Sequence, residues 1–486
     1  MADGALTKEE LTMFFGREQE LADLSALLRK QTASLVTCRG RRRIGKSTLI
    51  REFGKRAARF MSLEGLPPRP GLSNRDQLHE FGRLLAEQTE LPPLTPDNWP
   101  QAFQLLASTI RDESTVVMLD EISWMGGYDP DFAGHLKAAW DTVFKAHPKL
   151  ILVLCGSVSA WIVDNILENT GFVGRDSWDI VLDELPLHDC NRFWGDAGER
   201  ISPREKFRLL SVTGGIPKYL EEVDPGLSAE ENIRRLCFQR GGILFRDFGQ
   251  IFSDVFGKRS EGYRLILGTL THGSRTLSEI SAALGKARSG HMTEYMRDLV
   301  LAGFVAKDAV FDPATGRVSR KEVYRLRDNY SRFYLRYIVP RRESIEKGLL
   351  HDVAVDQLPE WEAAMGLQFE NLVLSNVLPV ARILGLGRTP LLAAGPYIQR
   401  AAARRKACQI DLLMRSKHSL YVVEVKSRRK IGFSVIDEVR EKVHRLSVAR
   451  HQSVRTALVY EGNLDSRIET EGFFDFLVPF SRLLEP

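Results

Sequence analysis

Three groups of residues in this 486-residue chain have types and spacings that suit phosphate chemistry. The first is the run Gly40, Arg41, Arg42, Arg43, Ile44, Gly45, Lys46, Ser47, followed by Thr48, a full match to the pattern G-x-x-x-x-G-K-[ST]. Its glycines let the backbone curl until its N–H groups face a phosphate, and the helix N-terminus behind it adds partial positive charge. In such a loop Lys46 reaches the β- and γ-phosphates and Ser47 ligates Mg²⁺. The second group is Asp120 with Glu121, directly after an apolar run. There Asp120 can hold the metal's ligand shell while Glu121 polarises an attacking water. The third is Asp411, Glu424 and Lys426. Two carboxylates can hold Mg²⁺, the metal acidifies its water, and a lysine steadies the nucleophile or the phosphate.

These groups need elements to position them. Residues 34–38 read as a buried strand before the phosphate loop, and residues 48–55 read as the helix after it. Residues 115–119 form a second apolar strand that delivers Asp120. A third, residues 150–155, ends in Gly156 and Ser157. Ser157 can either report on the γ-phosphate or cap a strand-to-helix turn. Arg175 precedes a strand at 178–182 and is either a finger residue reaching a phosphate, in its own or a neighbouring subunit, or a surface charge. Strands alternating with helices predict a parallel sheet covered on both faces, with the ligand at the strand C-terminal ends. Near the C-terminus, residues 409–414 and 419–426 form two strands of a hairpin. Glu424 and Lys426, two apart, share one face of the second.

Bulk composition narrows the rest. The length suggests about three domains. With 68 Lys and Arg against 63 Asp and Glu, the formal charge is +5, which by itself says nothing about nucleic acid. Basic clusters at 39–43, 400–406 and 428–430 are better candidates, although such clusters are often solvated faces. The five cysteines are far apart and form no Cys-x-x-Cys pair, which argues against a zinc site or a disulfide framework. The first ten residues hold no apolar signal region, and the most apolar internal run is too short to span a bilayer. A cytoplasmic protein without membrane association is the expectation.

The first half of the chain, about residues 13–250, resembles the AAA+ class of P-loop ATPases. Within that class it is similar to the archaeal-type ATPases related to the STAND signalling ATPases. Besides the phosphate loop and the Asp120–Glu121 pair, the resemblance rests on the run Phe15, Gly16, Arg17, Glu18, Gln19, Glu20, Leu21 and on Gly215, Ile216, Pro217. It implies that Gly16 and Arg17 lie near the adenine, and that Pro217 sits near the nucleotide on a helical lid and senses its state. ATP and Mg²⁺ are the implied cofactors, and a homo-oligomer is a possible assembly. Three arginines inside the loop are a departure from the family.

Residues 262–305 read as three helices leading into a hairpin with its turn at 312–316, which resembles a winged helix-turn-helix. Arg288, Ser289, His291 and Arg297 on the third helix, and Arg317, Arg320 and Lys321 on the wing, are the candidate DNA contacts. Alternatively the module packs on its neighbours and touches no DNA. Residues 355–480 resemble the restriction-endonuclease-like PD-(D/E)xK superfamily. That resemblance adds Glu370, on a helix-like run at 361–378, as the first acidic ligand beside Asp411 and Glu424. Gln409 and Ile410 replace the proline that names the superfamily.

The expected architecture is multi-domain α/β. It comprises a P-loop AAA+ core at 1–190, a helical lid at 191–255, a winged-helix module at 256–340 and a nuclease-like α/β domain at 341–486. The expected function is an ATP-hydrolysing switch that controls a Mg²⁺-dependent nuclease-like domain acting on nucleic acid, DNA before RNA. The alternative is a signalling or DNA-binding ATPase whose C-terminal fold is an inactive binding platform.

Overall fold

The central strands of the N-terminal sheet are built from runs of apolar residues with little polar interruption, which is the pattern of strands covered on both faces. The computed structural model describes residues 14–285, 290–399, 401 and 406–486, with only the backbone at 258 and 320. The chain divides into two units. The first runs to Asp183 and takes in Ile251–Lys258 and Leu301–Gly303; the second comprises Glu184–Gln250, Arg259–Val300 and Phe304–Pro486.

The first unit holds strands β1 (Ser34–Gly40), β2 (Arg59–Glu64), β3 (Thr115–Asp120), β4 (Leu150–Gly156) and β5 (Asp176–Leu182). They pair in parallel in the order β2-β3-β4-β1-β5, as the strand–helix alternation predicts. All residues of β3 and β4 are buried, whereas β5, at the edge, is largely exposed. Across β1 and β5, Arg39 forks onto Asp179 (Nε–Oδ1 3.2 Å, Nη2–Oδ2 2.8 Å), and Thr37 Oγ1 donates to the same carboxylate at 2.6 Å. In the β1–β4 register Cys38 lies opposite Cys155; both are free thiols and fully buried.

The helices of this unit are locally well specified. Ser73 and Asp76 form a capping box on Asn74–Glu87, and Asn98 caps Trp99–Ser108, whose second residue is Pro100. Their apolar faces meet in an aromatic cluster. Trp99 packs edge-on to Phe132 with ring centroids 4.7 Å apart, and its indole N–H donates to Asn74 Oδ1 at 2.9 Å. A buried tryptophan thus keeps its one donor satisfied.

The three expected helices are present as Ser260–Thr269, Leu277–Ala283 and Gly290–Leu301, all but Leu301 in the second unit. An antiparallel hairpin follows, formed by β6 (Val305–Phe311) and β7 (Val318–Leu326). Its turn is set by Asp312, whose Oδ1 accepts from Thr315 N at 2.8 Å, and by Gly316 at φ 75°. The C-terminal mixed sheet has the order β12-β11-β10-β9-β8. Its strands are β8 (Ala393–Gln399), β9 (Cys408–Arg415), β10 (Ser419–Ile431), β11 (Ser453–Leu464) and β12 (Phe476–Pro479). The β9–β10 hairpin is antiparallel and β10–β11–β12 is parallel. Among the described residues, no helix is long and apolar enough to cross a membrane.

Candidate functional site

The phosphate loop joins the end of β1 to the helix Lys46–Gly54. Two left-handed residues shape it, Arg43 at φ 71° and Gly45 at φ 90°. At Gly40, φ is 146°, and a Cβ there would come within 2.4 Å of the Leu182 carbonyl oxygen, so only glycine lets the loop's first turn rest on the end of β5. Lys46 is buried, and its Nζ donates to the carbonyls of Gly40 and Arg41, each at 3.1 Å. Ser47 and Thr48 open the helix. The described geometry joins the N-terminal motif to the loop: Gly16 and Arg17 are both left-handed, and Arg17 Nη2 donates to the carbonyls of Ile44, at 3.5 Å, and Asp183.

Arg42 is tied within the first unit. Its guanidinium pairs with Asp254 Oδ2 at 2.5 Å and lies over the Trp124 ring, 5.5 Å from the centroid. It therefore braces the loop against two neighbouring elements.

Asp120 is buried at the last position of β3, and its Oδ1 accepts from the Glu121 backbone N–H at 3.0 Å. Glu121 is left-handed, φ 46°, which turns its side chain off the strand axis. Both Glu121 oxygens accept from Ser157 Oγ at 2.9 Å, and Oε2 also accepts from Ser157 N at 3.1 Å. Ser157, directly after β4, is thus a holder of Glu121. A third acid, Glu64, ends β2 opposite Asp120. Partial burial of its carboxyl, then the charge of Asp120, raises its pKa against the opposing pull of Arg51. Glu64 was not legible as a site residue, because only the strand pairing brings it to the acidic pair.

This donor set fits a Mg²⁺-bound nucleoside triphosphate. A buried Asp at a strand end, a hydroxyl at the first turn of the helix and a buried ammonium beside a glycine-shaped loop are the groups such a ligand needs. Arg175 lies elsewhere. It forks onto Asp141 (Nε–Oδ1 2.8 Å, Nη2–Oδ2 2.9 Å), and this bond, helped by Lys137, holds the Asp141 carboxyl down at about 2. Pro217 begins the short helix Pro217–Leu220 in the second unit.

The C-terminal group forms a separate cavity of about 550 Å³ in the second unit, lined by Glu370, Asp411, Glu424, Lys426 and Lys442 among others. Asp411 Oδ2 accepts from Val425 N at 2.8 Å; burial first, then Glu424 and Glu370, raises its carboxyl well above the usual range. Glu370 is raised too, by burial, against Arg332 and Arg325. Burial pulls the Lys426 ammonium down, but Glu424 more than offsets this and the net shift is upward.

The expected acids and Lys426 thus line one cavity, where Glu424 is paired with lysines. Lys442 Nζ, from the helix Ser434–Arg445, donates to Glu424 Oε1 at 2.7 Å and Oε2 at 2.5 Å, and Lys426 Nζ stands 2.8 Å from Oε1. Both oxygens that a cation would use are taken by ammonium groups. Among the described residues, no group of three His, Cys, Asp or Glu is placed to hold a metal ion, so Glu370, Asp411 and Glu424 do not assemble one. Lys442 lies 18 residues beyond Glu424 on a different element and carried no sequence signal.

One face of the wing packs within the second unit. Val310, Phe311 and Val323 of the hairpin share a core with Ile410, Leu413 and Val422 of the C-terminal sheet. Arg415 donates to the carbonyls of Pro313 and Ala314 at the hairpin turn, at 3.3 and 3.4 Å. Arg317 and Lys321 remain exposed, as does His291. Arg288, Ser289 and the side chain of Arg320 lie outside the described residues, as do residues 400 and 402–405 of the basic cluster.

No family model matches the chain. An uncharacterized protein of Methanocaldococcus jannaschii is 24% identical over 369 residues, covering 74% of this chain and 76% of that relative. Among solved structures, the Walker-type ATPase of Pyrococcus abyssi superposes with a TM-score of 0.48 and 17% identity over 66% of this chain and 96% of that one. The ORC2 protein of Aeropyrum pernix, solved as ADPNP and ADP complexes, gives a TM-score of 0.39 and 14% identity over 69% of this chain and 96% of that one. By its own geometry, a phosphate loop on β1 of a parallel sheet ordered β2-β3-β4-β1-β5, the first unit has the AAA+ P-loop ATPase fold.

Proposed function

We propose that the chain is an ATP-binding and ATP-hydrolysing switch whose C-terminal sheet serves as a binding platform. The observation that carries the enzymatic half is the grip of Ser157 on Glu121, at the C-terminal ends of adjacent strands of the loop's own sheet. The loop N–H groups and the start of the helix Lys46–Gly54 bind phosphate oxygens, and Lys46 contributes the fixed positive charge. Ser47 and Asp120 are the residues that would hold Mg²⁺, which when bound neutralises phosphate charge. Glu121 orients and deprotonates the attacking water, and Ser157 fixes its rotamer. The test is ATP turnover by Glu121→Gln. Nucleotide binding is expected to persist while hydrolysis drops about 10²- to 10⁴-fold, the range of general-base removal. Hydrolysis at the parent rate would remove Glu121 from the mechanism.

The platform half is supported by the two lysines on Glu424, which leave that carboxylate neutralised. Nucleic-acid cleavage with Mg²⁺ or Mn²⁺, lost in Glu424→Gln, would overturn it and restore the nuclease reading.

A further inference from the structure

Phosphate binding by the loop needs the backbone N–H groups between Gly40 and Gly45; it does not need a guanidinium at Arg42. A side chain at that place nevertheless starts within reach of whatever phosphate the loop holds. Arg42 is therefore a group with a position and no role in binding or hydrolysis as derived so far.

Its surroundings narrow that role. The guanidinium pairs with Asp254 Oδ2 at 2.5 Å, near the C-terminal end of the helix Ile243–Phe256. It also lies over the Trp124 ring, 5.5 Å from the centroid. Trp124 belongs to the short helix Ile122–Gly126, which begins directly after Glu121. Burial, then the charge of Asp120, raises the Glu64 carboxyl at the end of β2, and Arg42 stands with Arg51 among the cations that oppose the rise. The Arg42 charge is thus felt at the acidic end of the sheet, where Ser47 and Asp120 would hold Mg²⁺ and a terminal phosphate would lie. Arg42, Glu64, Trp124 and Asp254 all belong to the first unit.

Magnitudes decide what Arg42 does when a nucleotide enters. The Arg42 and Asp254 side chains keep 23% and 27% of their exposure, so water weakens their attraction. An arginine on a phosphate makes a charge-assisted contact that can be bidentate, and a terminal phosphate carries more charge than one carboxylate. A triphosphate therefore outcompetes Asp254 for the guanidinium. A diphosphate ends one phosphate short, and Asp254 remains the better partner. The exchange need not break the stacking on Trp124, because the flat face can stay on the ring while the N–H edge turns.

We propose that Arg42 determines the preference of this site for a nucleoside triphosphate over a diphosphate, its guanidinium moving from Asp254 to the γ-phosphate when one is present. The inference rests on the nucleotide site proposed above and assigns that site its means of telling the two ligands apart.

The test is calorimetric titration of the full chain, with Mg²⁺, using ADP and the non-hydrolysable β,γ-imido analogue of ATP. Arg42→Gln is expected to weaken the analogue at least about tenfold, the worth of one charge-assisted contact, and ADP less than about twofold. Asp254→Asn frees the guanidinium and is expected to tighten the analogue about two- to fivefold, the worth of a half-exposed pair, with ADP nearly unchanged. In the Arg42→Gln background, Asp254→Asn should have no effect on either ligand. Equal loss of both ligands in Arg42→Gln would mean that Arg42 only braces the loop, and would overturn the proposal. So would weaker analogue binding in Asp254→Asn, or a gain that persists without Arg42 and so reflects bulk charge. If the parent binds neither ligand, the nucleotide site itself fails; if it binds both and Arg42→Gln leaves their ratio unchanged, only the role of Arg42 fails.

Discussion

Two acidic centres in this chain use the same residue types and reach opposite electrostatic states. At the end of β3, Glu121 accepts from a hydroxyl and a backbone N–H, and the nearby Lys46 donates to neutral carbonyls. The carboxylates and the ammonium are each held in place without cancelling one another. On β10, Glu424 is fully buried and takes both Lys442 and Lys426 directly. Its charge is consumed inside the protein. Hydrogen bonds from neutral groups orient a charge and leave it available to a ligand, whereas an ion pair orients it and spends it.

The largest expected effect separates buried Lys46 from half-buried Lys442. Lys442→Met leaves Glu424 underneutralised in the core and should cost about 3 kcal/mol, the lower end for breaking a buried pair because Lys426 remains. Lys46→Met removes bonds to neutral carbonyls and should cost about 1 kcal/mol, while ATP affinity falls about 100-fold. Chemical denaturation and nucleotide titration of both variants measure this. Equal destabilisation would collapse the contrast.

A smaller effect tests the orientation claim at the first centre. Ser157→Ala removes one hydroxyl donor from Glu121 but leaves the carboxylate, so ATP turnover should fall about tenfold with ATP affinity unchanged. Steady-state kinetics with a separate binding assay distinguish this from a binding defect. Loss of affinity instead would place Ser157 on the nucleotide.

The smallest effect concerns an exposed pair that resembles neither centre. Arg175→Ala should destabilise the protein only slightly, as expected for a forked surface bridge. Since Asp141 is held down at about 2, that contribution is complete above the ordinary carboxylate pKa and fades as pH falls from about 4 towards 2. Parent and variant stabilities, compared by denaturation across that range, should converge at the acid end. A gap that persists undiminished at pH 2 would mean Arg175 acts through another contact.

What the sequence could and could not reveal follows from where each partner lies. The phosphate loop with its flanking strand and helix is one contiguous run, and Asp120 and Glu121 are adjacent, so both were readable. β2 was not, because Arg59–Glu64 is a short, half-polar run that becomes a strand only by pairing with β3. In the C-terminal region the local spacing placed Glu424 and Lys426 on one face, and they do meet at 2.8 Å. Whether that face would bind a cation depended on Lys442, which arrives on a helix formed later in the chain. The hairpin turn at Asp312 was legible from its turn residues. Its burial against the C-terminal sheet was not, because Val310 and Phe311 look alike whether they cover a wing or a neighbour.

The thiols have a practical consequence. All five cysteines lie outside any disulfide and are buried, with Cys38 and Cys155 in the first unit and Cys190, Cys237 and Cys408 in the second. A thiol reagent can modify them only when the surrounding structure opens, so modification rates read opening frequencies. Mass spectrometry of each labelled cysteine would give two stopwatches in one chain. If ATP slows only the Cys38–Cys155 clock, its grip is local; if it also slows the other three, the units feel the nucleotide together.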